Sequence, residues 1–306
     1  MHHHSHDDHH HHHAVPAGAG MNRAFVAGIV LNLLFVIVQV VAGLATGSVA
    51  LLSDAGHNLS DVASLALSLV AFRLAKARPT QSFTYGYKKT TILAALTNAA
   101  VLLVAIGVLG YEAIHRLWHP QVVAGGTVAL VAGIGILVNF STAMFFFRSK
   151  DHDLNTRGAY LHLLTDALVS LGVVVAGLVI ARTGWYWLDG AVSLAILLVI
   201  LMGTWSLLTG SLRLALDAVP ADLTTQKIEQ LVLGIAGVTQ VHHTHIWAMS
   251  TTENALTTHV VLDDRLAFDE KMKLIHHIKH ELLHNNIHHA TIELESAALP
   301  CADEDC

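Results

Sequence analysis

Six apolar stretches, each long enough to cross a bilayer, constrain this chain more than any other feature of its sequence. A helical crossing takes about 20 residues. The stretches run approximately Phe25–Leu44, Val49–Leu74, Thr91–Ile114, Val122–Phe147, Tyr160–Ile180 and Leu188–Leu208. The connection Ala45-Thr46-Gly47-Ser48 is so short that the first two helices must form an antiparallel pair. Charge agrees with lipid burial: 13% of the 306 residues are charged, against about 25% in an ordinary soluble domain. The net charge of −6 gives no ground for expecting a nucleic-acid partner.

Lys and Arg in the connections set the expected orientation, because they are retained on the cytoplasmic side. Arg73, Lys76, Arg78, Lys88 and Lys89 lie between the second and third stretches, and Arg148, Lys150 and Arg157 between the fourth and fifth. The opposite side offers only Arg116 and Arg182. Both termini are therefore expected in the cytoplasm, as an even number of spans requires. The polar N-terminus has no short apolar core before a cleavage site, so the first span is expected to act as the targeting signal.

From about Asp217 the composition changes. Residues 222–236 and 268–285 read as amphipathic helices, and 238–249, 254–263 and 288–295 as strands. The order α-β-β-α-β points to an α+β domain of ferredoxin-like kind, a small antiparallel sheet with helices on one face. The expected division is a cytoplasmic His-rich tail over 1–22, a six-helix transmembrane bundle over 23–213, a cytoplasmic α+β domain over 214–300 and a Cys/acidic tail over 301–306.

Chemistry concentrates in two motifs. His57-Asn-Leu-Ser-Asp61 lies in the second stretch and His162-Leu-Leu-Thr-Asp166 in the fifth. In each HxxxD the two side chains share one helix face about a turn apart. Two such faces turned together offer two imidazoles and two carboxylates, a set suited to tetrahedral Zn2+. The two Asp charges cancel that of the ion, so the loaded site is neutral in a low-dielectric interior. One buried His or Asp can merely join two helices by hydrogen bonding. Ionisable residues inside spans are costly and usually functional, and here the same pair occurs twice. Asp54, seven residues before Asp61, lies on roughly the same face and either lines the route or marks a helix end.

The run Ser53-Asp54-Ala-Gly-His57-Asn-Leu-Ser-Asp61 resembles the second-helix motif of the cation diffusion facilitator family. Phe83-Thr-Tyr85-Gly86-Tyr87-Lys88-Lys89 with Ile92-Leu93-Ala94-Ala95 is similar to that family's loop between second and third helices. His162–Asp166 and His242-His-Thr-His245-Ile-Trp247 resemble it too. The likeness runs from about residue 23 to 300. It implies a homodimeric, proton-coupled exporter with six spans and a cytoplasmic metallochaperone-like domain, placed in a bacterial cytoplasmic (inner) membrane. It further implies His57, Asp61, His162 and Asp166 as the transport site, with Zn2+ as substrate and Cd2+ or Co2+ as possible further ones. It favours His242, His259 and Glu295 as one cytoplasmic site for Zn2+, joined by Cys301 and Cys306. One departure stands out: many relatives carry Glu where this chain has Thr90-Thr91.

Proton coupling is expected on chemical grounds as well. Metal ligands must be deprotonated, so binding releases protons and metal release invites them back. Histidine titrates near physiological pH, and the same four groups can hold either cargo. Of the 24 histidines, nine fall in residues 1–13, MHHHSHDDHHHHH. That segment reads as a flexible metal-binding tail or a purification tag. His276, His280 and His284 have i,i+4 spacing, which suits a metal or a solvated helix face. Cys301 and Cys306 beside carboxylates read as ligands or a free tail rather than a disulfide framework. Strand alternation places His243 and His245 on one face and His242 on the other. An enzyme is not expected: the four protein ligands of the membrane site leave no open position of the catalytic kind. A metal sensor with a membrane anchor would leave the paired HxxxD motifs unexplained.

Overall fold

The computed structural model describes residues 23–147 and 154–296; the side chains at 23–29, 64–65, 68–69, 72, 142–143, 145–147 and 154–163 lie outside the description. Six long helices come first: α1 (Arg23–Thr46), α2 (Val49–Ala75), α3 (Thr90–Trp118), α4 (Gly125–Phe147), α5 (Leu154–Thr183) and α6 (Trp187–Ala215). Among the described residues, Thr90–Trp118, Leu164–Thr183 and Trp187–Ala215 are long and apolar enough to cross a membrane. Val30–Thr46 of α1 and Gly125–Ser141 of α4, the stretches whose side chains are described, are apolar as well. Part of α2, at 64–65, 68–69 and 72, lies outside the described side chains, and its described N-terminal half carries Ser53, Asp54, His57, Asn58, Ser60 and Asp61 among apolar residues. The chain forms two compact units, Met1–Leu69 with Thr97–Leu208 and Val70–Leu96 with Thr209–Cys306.

The first unit explains why α2 tolerates its polar stripe. Ser53, Asp54, His57 and Asn58 each meet a polar side chain on another helix. Ser53 Oγ lies 2.6 Å from Ser193 Oγ on α6, and Asn58 Nδ2 donates to Gln39 Oε1 on α1 at 3.1 Å. The N-terminus of α2 is held from α6: Asp189 accepts the Val49 N–H at 2.7 Å and the Ser48 hydroxyl at 2.5 Å. A carboxylate satisfies the orphan donors of a helix start and complements its dipole. Asp189 is buried, so this cap is sealed inside the unit. α4 and α5 approach so closely that a Cβ on Gly177 would stand 2.8 Å from the Ala129 amide nitrogen and 2.8 Å from the Gly125 carbonyl. Small residues permit such crossings where lipid supplies no hydrophobic drive between helices.

In the second unit, α7 (Thr225–Leu233), β1 (Val238–Ala248), β2 (Asn254–Leu262), α8 (Phe268–His284) and β3 (Ile287–Glu295) follow the expected α-β-β-α-β order. α7 is shorter than the 222–236 expected. Thr224 Oγ1 caps it by accepting the Lys227 N–H at 3.3 Å, and Gly234 ends it. At α8 the Glu270 carboxylate accepts the Ala267 N–H at 2.9 Å. β2 is central, paired antiparallel with β1 and parallel with β3. The sheet is thus mixed and not antiparallel as the sequence led us to expect. A helix between β2 and β3 carries the chain back to the starting end, so the next strand runs in the same direction.

Ile228 and Val232 of α7, Ile278 and Leu282 of α8, and Ile246, Leu256, Val260 and Leu262 of the sheet form one core. Both helices therefore pack on the even-numbered face of β2. His259 and its cross-strand partner His242 stand on the other face. The loop before α3 belongs to this unit. Lys88 pairs with Glu253, Lys89 Nζ lies 2.5 Å from Asp217 Oδ1, and Thr91 Oγ1 accepts the Thr251 N–H at 3.1 Å. Thr90 and Thr91 also donate to Tyr87 and Lys88 carbonyls at 2.6 and 3.0 Å, closing the start of α3.

Candidate metal centres

In the first unit, α2 and α5 bring three of the four residues of the paired motif together. His57 Nε2 lies 3.1 Å from Asp166 Oδ1 and 3.9 Å from Asp61 Oδ2. One ligand atom from each of His57, Asp61 and Asp166 lies within 4.8 Å of the others. The i,i+4 spacing places Asp61 one turn below His57 on the same face of α2. Asp166 is nearly fully buried, with 4% of its side chain exposed, whereas Asp61 retains 31%. The group thus has a closed side on α5 and an open side on α2. His162 sits on α5 one turn before Asp166, and its side chain lies outside the described residues.

Asp54 is buried beside this group without belonging to it. Its Oδ2 accepts from Gln39 Nε2 at 2.6 Å and from Ser170 Oγ at 3.5 Å. Its Oδ1 has no hydrogen-bond partner among the described residues. Gln39 in turn accepts from Asn58, and Ser170 reaches Asp54, so α1, α2 and α5 share one polar chain beside the candidate ligands. Asn58 and Ser170 escaped notice in the sequence. Only the general signal of polar residues in apolar stretches pointed towards them.

In the second unit, one face of the sheet gathers His242, His259 and Glu295, whose ligand atoms again lie within 4.8 Å of one another. His259 Nδ1 is 2.7 Å from Glu295 Oε1, and His242 Nε2 is 3.1 Å from Glu295 Oε2. Glu293 Oε2 approaches His259 Nε2 at 3.5 Å. Two imidazoles and a carboxylate of low exposure (9%) make a donor set that fits Zn2+. Cys301 and Cys306 lie outside the described residues, as does the 1–22 tail. The stripe on α8 is exposed, with the His280 and His284 rings 4.5 Å apart.

Alternation fails along β1. The register shifts between His242 and His245, and His243 takes a left-handed φ of 50°. This bulge puts His245, opposite Thr257, on the same face as His242, opposite His259. The expected separation of His242 from His245 is therefore corrected, because a bulge inserts an extra residue and changes the parity of the strand.

Residues 25–214 match the family model for the cation efflux transmembrane domain, and residues 220–297 match that for the cation efflux protein, cytoplasmic domain. The chain is 36% identical over 266 residues to a cadmium, cobalt and zinc/H(+)-K(+) antiporter of Bacillus subtilis, covering 86% of each protein. It is 37% identical over 288 residues to the metal cation efflux system protein CzcD of Cupriavidus metallidurans, covering 94% of this chain and 90% of that one. Against the zinc transporter ZitB of Escherichia coli it is 37% identical over 275 residues, covering 89% and 86%. With both domains matched and relatives aligned over most of their length, this chain belongs to the cation diffusion facilitator family, multi-pass membrane transporters of metal cations and not enzymes.

Proposed function

We propose that this protein exports Zn2+ from the cytoplasm in exchange for protons, with Cd2+ and Co2+ as further substrates, through a site made by His57, Asp61, His162 and Asp166. The observation that carries this is the meeting of His57, Asp61 and Asp166 from two helices within 4.8 Å. Three hard or borderline donors at that spacing suit a divalent ion of zinc's size. The fourth follows from position, since His162 is placed on α5 relative to Asp166 as His57 is on α2 relative to Asp61. The names of the relatives, which include zinc transporters and a zinc/H(+)-K(+) antiporter, agree with this cargo and with coupling.

α1 to α6 are read as six crossings with both termini cytoplasmic, following the Lys and Arg distribution. The second unit is read as a ferredoxin-like, metallochaperone-type domain through which two copies dimerise. His242, His259 and Glu295 would hold a resident Zn2+ there, joined by Cys301 and Cys306. Bound there, zinc would supply a fixed positive charge and tie β1, β2 and β3 together on the face opposite the helices.

Metal accumulation in proteoliposomes tests the transport site. Wild-type protein should move Zn2+ into vesicles, and Asp61→Ala and Asp166→Ala should each reduce flux to the level of empty vesicles while remaining folded. Near-normal flux in both variants would remove these residues from the transport site.

A further inference from the structure

We infer, resting on the reading of His242, His259 and Glu295 as a cytoplasmic metal site, that His243 is a further ligand, completing a shell of three imidazoles and one carboxylate around a single divalent ion. In a regular strand, residue 243 would point away from 242, towards the helix-covered core. The bulge prevents this. His243 has a φ of 50°, and the register slips between His242 and His245. Histidine enters the left-handed region more readily than most non-glycine residues, and residues held there cluster at ligand clamps. Thr244 takes the inward place instead, its Oγ1 2.9 Å from that of buried Thr258.

The result is a triangle of rings. His242 and His259 have centroids 5.4 Å apart, His243 and His259 5.0 Å, and His242 and His243 5.2 Å. Two imidazoles on one tetrahedral zinc, with bonds of about 2.0–2.1 Å, place their ring centres about 5 Å apart. All three pairs stand at that separation. His242, His259 and Glu295 leave one position of a tetrahedral shell open; His243 stands outside their 4.8 Å group of ligand atoms, so its ring must turn to bring a nitrogen to that position. The rivals for that position are Cys301 and Cys306. A further alternative is that His243 only stacks on His259, whose ring plane it meets at 18°.

The full-length protein in detergent separates these cases, with Asp61→Ala and Asp166→Ala silencing the membrane ligands and residues 1–13 removed. Zn2+ binding is measured by calorimetry, and Co2+ serves as the spectroscopic probe. His243→Asn tests the imidazole while retaining a residue that tolerates the left-handed backbone. His243→Gly relaxes that backbone and controls for folding. Both variants should lose at least tenfold in Zn2+ affinity, and their Co2+ visible bands should weaken as water replaces a nitrogen ligand. Wild-type affinity and an unchanged Co2+ spectrum in both, with binding abolished by His259→Ala, would make His243 a stacking residue only and overturn the inference while leaving the site intact. A sulfur-to-cobalt charge-transfer band that Cys301→Ser or Cys306→Ser removes would give the fourth position to a thiolate and also overturn it. Binding unchanged by His259→Ala would sink the cytoplasmic-site reading itself, and His243 with it.

Discussion

At the scale of single residues, zinc and protons contend for the same lone pairs. His57 can bind zinc only through an unprotonated nitrogen, and Asp61 and Asp166 only as carboxylates. Zinc affinity of the membrane site should therefore fall as pH drops through the range in which histidine titrates. Calorimetry on protein lacking residues 1–13 and carrying His242→Ala, His259→Ala and Glu295→Ala reads the membrane site alone. Affinity independent of pH between about 8 and 6 would show that no proton is displaced on binding. The paired HxxxD spacing made the meeting of His57, Asp61 and Asp166 legible in the sequence, because helical geometry alone puts i and i+4 on one face. The Gln39, Asp54 and Ser170 contacts were not legible, since they join helices whose relative rotation no local pattern encodes.

Among the elements, α2 carries most of the chemistry and depends on α6 for its start. Asp189→Ala leaves the Val49 N–H and the Ser48 hydroxyl without their acceptor in a buried setting. Such a loss costs about 1–3 kcal/mol, and a lowered melting temperature in detergent should reveal it. Asp189→Asn keeps one acceptor and should lose less. Equal melting of Asp189→Ala and wild type would show that the cap contributes nothing. In the second unit, Ile278 is fully buried between α8 and the sheet. Ile278→Ala should destabilise that unit by about 2–5 kcal/mol, read by denaturant unfolding of the full chain. The element order of this unit was legible from periodicity and turn signals. Two features were not. β3 runs parallel because α8 returns the chain, and pairing partners are not written in a strand's own residues. The bulge at His243 needs a left-handed φ, which histidine tolerates but which its position in the strand does not signal, so alternation misassigned the faces of β1.

For the whole molecule, the His-rich segment 1–13 and the proposed cytoplasmic site lie apart from the proposed transport site in sequence, and they should affect rate more than mechanism. Deleting residues 1–13 should slow transport at low zinc, because the tail only raises the local ion concentration, and leave the rate at saturating zinc unchanged. Complete loss at saturating zinc would make the tail part of the machinery. The central claim is that one intramembrane site exchanges zinc for protons. The most direct measurement loads proteoliposomes with Zn2+ on the side facing the cytoplasmic surface and imposes a pH gradient while the membrane potential is clamped at zero. Antiport predicts uphill zinc movement that follows the size and sign of the gradient, with an opposite proton flux that Asp61→Ala and Asp166→Ala both abolish. Zinc movement that runs only down its own gradient and ignores the imposed pH difference would contradict it.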